Sequence, residues 1–338
     1  MVAREAKYCD IRDAFFPVEE QPIFSARGKR ISGYKTIVDR TSDRPLSVVS
    51  EKYRLMRNEE AVHYADYVVQ EIFEGKTIED FKCFNIYMPK SMASCRIDLI
   101  VPHSFNNLFG NTKEDWTPFV RISNSYNRTL ALKYEIGFCR WICKNGMIFG
   151  QNGVTFSVTH NGKVSYREID ELIRKTRSRI GDARTLWNNF EMKMEELKRI
   201  QISQSAALEI YCRVFDIKVN TESVTPLQKE GLFHRAERII ELSDEYFNEM
   251  GDNAYAMMNV LTDYASFPVR PNSSTMNIDG YQRRVGHWVD EFTMENRKSG
   301  FDLNGYIGDE YRDSAAYMRT LVEKRSQSGT IPKPMLII

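Results

Sequence analysis

The sequence has little of what usually announces a chemistry. Its six cysteines, Cys9, Cys83, Cys95, Cys139, Cys143 and Cys212, show no paired C-x-x-C spacing, which argues against zinc or redox sites and leaves them as buried thiols. The five histidines, His63, His103, His160, His234 and His287, are scattered without metal-ligand spacing. There is no Walker loop or dinucleotide glycine fingerprint, and no run approaches the roughly 18 apolar residues of a membrane span. No cofactor, metal or membrane is expected. The start, MVAREAKYCDIRDAFF, lacks the basic end, apolar core and small-residue cleavage site of a secretory signal, so a cytoplasmic protein is expected. Net charge is scarce as well: 47 Lys and Arg against 46 Asp and Glu leave +1, and any polyanion site must come from local asymmetry.

What is present suffices for a core. With 338 residues, 42% of them hydrophobic, the chain suits one large domain or two of ordinary size. Residues 1–22, with Pro17 and Pro22 around Glu19 and Glu20, read as an irregular extension. A β-rich domain over 23–163 follows, with strands at Phe24 to Ser25, Arg30 to Val38 and Leu46 to Leu55. Asn58 opens a helix over 58–74, where Val62, Ala65, Val69 and Ile72 recur at helical spacing until Gly75. Alternation around Phe84 to Met88 and Cys95 to Val101 gives a hairpin about Pro89 to Ala93.

The centre of this half is Phe119 to Gly150. Leu130, Leu132, Tyr134, Ile136 and Phe138 alternate with Ala131, Lys133, Glu135 and Gly137, so one face packs and the other meets solvent or a partner. The alternation changes phase after Phe138, which places a bulge or bend near Gly137. Asn145-Gly146, Asn152-Gly153 and Asn161-Gly162 read as turns. From Tyr166 the period becomes helical, giving a helical domain over 164–329 and an apolar tail over 330–338. The fold class is α+β: an antiparallel β-sheet with an inserted helix in the first half, and a mostly helical second half.

Three ordered segments carry a family resemblance. Ser47-Val-Val-Ser-Glu-Lys-Tyr53 with Asn58-Glu-Glu60 is the first, Asn124-Ser125 with Gly137-Phe-Cys-Arg-Trp-Ile-Cys-Lys-Asn-Gly-Met147 the second, and Asn253-Ala-Tyr-Ala-Met-Met-Asn-Val-Leu-Thr-Asp-Tyr264 the third. Together they resemble the phage- and plasmid-borne family called domain of unknown function 932. The chain departs from it where Tyr126-Asn-Arg replaces the usual His-Asp-Gly, and where Phe267 stands in place of a common histidine. The resemblance implies a mobile-element origin and no particular activity.

Local charge is the strongest functional signal. Arg27, Lys29, Arg30, Lys35, Arg40, Arg44, Lys52, Arg54 and Arg57 stand against Asp39, Asp43 and Glu51, and Arg121, Arg128, Lys133, Arg140 and Lys144 face only Glu135. Cations interleaved with Tyr34, Tyr53, Tyr126 and Trp141 are what binding of single-stranded nucleic acid needs, although a solvated sheet face has the same composition. The expected nucleic-acid-binding residues are Arg121, Asn124, Arg128, Lys133, Arg140, Trp141, Lys144, Arg54 and Lys35. The expected function is an accessory protein of a phage or mobile element that binds single-stranded DNA in recombination or replication. The alternative is a non-catalytic interaction or anti-defence factor that binds a host protein or self-assembles as a homo-oligomer, for which the tail Met335 to Ile338 is a candidate contact. Cys143 with His160 makes a nucleophile pair only on paper, and the sequence assigns no catalysis.

Overall fold

Strand periodicity in the first half and helical periodicity in the second become two separate units in the computed structural model: Met1–Glu191 with Ser274–Asp279, and Met192–Ser273 with Gly280–Ile338. The structure describes residues 8–73, 75–101, 116–140, 145–147, 154–158, 171, 174, 183–269 and 275–327. The expected tail, Cys143, His103, His160 and most of the basic run from Arg174 to Arg179 lie outside the described residues. No described helix is long and apolar enough to cross a membrane.

The first unit is α+β with antiparallel sheets, as the periodicities require. Strands β1 (Val18–Phe24), β2 (Arg30–Asp39) and β3 (Arg44–Ser50) form a three-stranded antiparallel sheet in that order. β1 therefore begins within the expected extension. Its inner face buries Val18, Ile37, Leu46 and Val49 against Tyr53 and Tyr126, with Phe16, Leu55 and Met92 packed on this cluster.

Helix α1 (Asn58–Ile72) follows, with the Arg57 N–H donating to Glu60 and the acids Glu59 and Glu60 at the positive end of the helix dipole. Ala61, Tyr64, Ala65, Val68, Val69 and Ile72 form the buried stripe. A second sheet then runs β4 (Lys82–Tyr87), β5 (Ser94–Ile100), β6 (Trp116–Ser125), β7 (Leu132–Arg140) and β8 (Asn145–Met147), while β9 (Val154–Val158) shares the outer edge of β7. The apolar face of β6 and β7 meets α1, where the Tyr134 hydroxyl donates to the Ala61 carbonyl at 2.8 Å. The β6–β7 register runs unbroken through Phe119↔Gly137 to Trp116↔Arg140. No bulge forms against β6 at Gly137, whereas on the other edge β7 changes partner there, from β9 up to Ile136 to β8 from Phe138.

Cys83, Cys95 and Cys212 are buried free thiols, each pushed up to about 12 by that burial. Cys9 departs from expectation by being exposed.

In α2 (Ala183–Arg199), Trp187 and Phe190 pack on Trp116 and Phe138, and the Phe138 and Phe190 rings stack at 4.3 Å. The second unit is helical: α3 (Ala207–Phe215), α4 (Pro226–Met250), α5 (Ala254–Ser266), α6 (Thr275–Asn296), α7 (Leu303–Ile307) and α8 (Asp309–Gln327). The unit boundaries fall within α2 and α6. α5 is buried along nearly its whole length and lies against α4, which also meets α8. Thr225 caps α4, its hydroxyl accepting from the Gln228 N–H at 3.3 Å, with Pro226 at the first helical position. Thr225→Ala is expected to cost about 1 kcal/mol, read as a lower midpoint in thermal denaturation.

Candidate nucleic-acid interface

The cations expected on β6 and β7 come first, because the register decides which way they face. Asp98, Arg121 and Glu135 are direct neighbours across β5, β6 and β7, and Arg96, Ser123 and Lys133 form the next row. These rows lie on the face opposite Tyr134 and Ile136, and that face is covered as well. Arg121 is 1% exposed and meets Asp98 through two parallel bonds of 2.7 and 2.8 Å and Asp279 through a third of 2.8 Å. Arg96 also pairs with Asp279 and lies 3.9 Å over the Tyr87 ring, and Lys133 meets Glu135 at 3.0 Å.

Burial alone would raise the Asp98 carboxyl, but the Arg121 and Arg96 guanidiniums outweigh it and hold Asp98 below the usual carboxylate range. The opposite balance holds Arg121 firmly protonated: burial disfavours its charge, and Asp98 and Asp279 more than restore it. Arg121 is thus not a surface cation. Its charge is balanced by Asp98 and Asp279.

The polar tip expected at Asn124 and Ser125 is also interior. Asn124 Nδ2 donates to the Met56 carbonyl at 2.8 Å and to Asn58 Oδ1 at 2.9 Å, while Asn58 Nδ2 donates to the Ala14 carbonyl. The Tyr53 hydroxyl donates to the Ser125 carbonyl at 2.7 Å, and Ser125 Oγ closes the turn on Leu130. Two of the three motif segments therefore meet in one buried knot, whose residues hold the two sheets of this unit in place. The third segment is structural too. Asn253 caps α5, and Asp263 accepts from Arg238 at 3.1 Å and from the Tyr246 hydroxyl at 3.0 Å.

The remaining expected residues are dispersed. Arg128 is exposed at the β6–β7 turn with φ of 63°. Lys35 pairs with Glu20 at 2.7 Å, and Arg54 is half-buried. Arg140 ends β7 with its side chain undescribed, and Trp141 and Lys144 lie outside the described residues.

A different surface gathers exposed aromatic, aliphatic and basic groups. The register places Gln21, Thr36 and Val48 side by side on the outer face of the β1–β3 sheet, with Tyr34 opposite Ser50 and Ile23 opposite Ile31. Tyr34 is 53% exposed, Val48 63% and Ile31 41%. Phe24, at the end of β1, is exposed as well.

The β1–β2 turn beside it is held by the Ser25 N–H donating to the Lys29 carbonyl at 2.8 Å and by Gly28, whose φ of 74° few side chains tolerate. Arg27 and Lys29 ride on this turn, Arg30 pairs loosely with Glu51 at 3.5 Å, and Lys52 follows β3. Arg27, Lys29 and Lys52 are exposed and have no carboxylate partner among the described residues. Sequence reasoning placed these cations in a basic cluster with Tyr34 but ranked the β6–β7 cations above them.

A family profile described as a domain of unknown function (DUF932) matches residues 45–273. It begins at β3, so β1, β2 and their turn precede the matched stretch. No curated protein and no solved structure matches the chain.

Proposed function

This chain belongs to the domain of unknown function 932 family, and we propose that it is a nucleic-acid-binding accessory protein of a phage or other mobile element, acting in recombination or replication, with the β1–β3 sheet as its binding surface. The observation that carries this reading is the open outer face with exposed Tyr34 in the last pair of the β2–β3 register, and exposed Arg27, Lys29 and Lys52 in the adjoining turns, free of acidic partners among the described residues. Unneutralised cations release counterions when they meet phosphates, and that release supplies most sequence-independent affinity. Arg121 and Lys133 support such a contact less, since each is already paired with an acid of its own sheet.

The test is fluorescence anisotropy with a labelled oligonucleotide over a salt series. The triple variant Arg27→Ala, Lys29→Ala, Lys52→Ala is expected to weaken binding at least about tenfold and to flatten the salt slope by roughly one per lost phosphate contact. A parent protein that binds no oligonucleotide at about 50 mM salt sinks the reading. Exposed Val48 and Ile31 favour a second reading, an interaction module that docks a host protein or a second copy on the same face. Light scattering in which Val48→Lys dissociates an oligomer would support it.

A further inference from the structure

We propose that the outer face of the β1–β3 sheet is a stacking platform for unpaired bases of single-stranded DNA, with Tyr34 as the residue that selects single strands over duplex; this rests on the nucleic-acid reading above. The argument begins in the backbone. Pro22 pairs with Lys35 and Ile23 with Ile31, so Ser32, Gly33 and Tyr34 bulge out of β2 with no partner on β1. Gly33 makes the bulge with φ of 85°, a conformation that side chains rarely adopt, and a Cβ there would meet nothing within 4 Å. The other edge stays anchored: Tyr34 pairs with Ser50, and the Glu51 N–H donates to the Gly33 carbonyl at 3.0 Å. Bulges re-aim side chains, and this one leaves Tyr34 more than half exposed.

The surroundings define what the ring meets. Val48 and Ile31 give an apolar floor beside it, and the cations Arg27, Lys29 and Lys52 stand at the rim rather than beneath it. That order, apolar centre and basic border, suits a strand whose bases turn inward and whose phosphates stay outside. A duplex hides its base faces and offers phosphates and groove edges instead, so it engages the rim and not the floor. The same floor favours deoxyribose, because a 2′-hydroxyl pressed on valine and isoleucine loses its water without gaining a partner.

The experiment compares three labelled probes on the full chain by anisotropy: oligothymidylate of about 20 nucleotides, the oligouridylate of the same length, and a duplex. Expected are tightest binding of oligothymidylate and a loss of roughly five- to hundredfold for that probe alone in Tyr34→Ala, with Tyr34→Phe close to the parent. Tyr34→Trp should report stacking as quenched indole fluorescence. Gly33→Val, which strains the bulge without filling space, should mimic Tyr34→Ala. If Tyr34→Ala leaves all three affinities unchanged, or lowers them equally, the platform is overturned while the nucleic-acid reading stands. Equal binding of oligouridylate overturns the preference for DNA, and binding of none of the probes overturns both readings.

Discussion

Arg121→Ala is expected to destabilise the β-rich unit by about 3–5 kcal/mol, because it leaves Asp98 charged in a low-dielectric interior without the two hydrogen bonds from Arg121 and with Arg96 no nearer than 3.9 Å. Asp98 takes that cost: it is buried too and accepts two hydrogen bonds from Arg121. The pH dependence gives the effect a signature. In the parent, Asp98 is held below its unfolded pKa, so its contribution is present above about pH 4 and is lost as pH falls through the lower folded value. Without Arg121, burial becomes the dominant influence and raises Asp98, so ionising it opposes folding. The deficit should therefore be smaller at pH 5 than at pH 8, with melting midpoints as the measurement. Arg121→Met with Asp98→Leu removes both charges and should recover much of the loss, with Arg96 still paired to Asp279. A variant that melts like the parent but fails to bind oligonucleotide would instead return Arg121 to the surface role its sequence suggested.

The reason Arg121 misleads lies in what a period of two can tell. Alternation of Leu132, Tyr134 and Ile136 with Lys133 and Glu135 separates two faces of β7, and the structure keeps them separate. It does not say that the second face meets water. Glu135 is fully buried, and the acids that neutralise Arg121 lie 23 and 158 positions away in the chain, beyond any local pattern. Helix α1 was legible because its signal is local: Glu59 and Glu60 suit its start and Ala65, Val69 and Ile72 recur on one side, although its N-cap is Arg57 and not Asn58, whose side chain joins Ala14 and Asn124 instead. Pro226 and Asn253 mark the starts of α4 and α5 for the same reason. Gly33 and Gly137 show the converse. Both sit in strands, yet only Gly33 lies in a bulge, since its neighbours lose their β1 partners while every residue near Gly137 keeps one on β6. For the candidate site, composition found Tyr34, Arg27 and Lys29, but only cross-strand pairing shows which cations remain uncompensated.

Asn124 allows the motif and the binding surface to be separated by experiment. Asn124→Ala leaves the Met56 carbonyl and Asn58 Oδ1 without their donor inside the knot that joins Tyr53, Asn58 and Ser125. The expected cost is about 2–4 kcal/mol, since two buried acceptors lose their donor. Asn124→Asp should be at least as damaging, because it sets a carboxylate against the same two acceptors. Oligonucleotide affinity per folded molecule should stay at the parent value below the lowered melting midpoint, as Tyr34, Arg27, Lys29 and Lys52 take no part in this network. A stable Asn124→Ala protein with weakened binding would place the ligand at the motif instead, whereas an unstable one that still binds assigns the motif to folding and leaves recognition to the sheet in front of it.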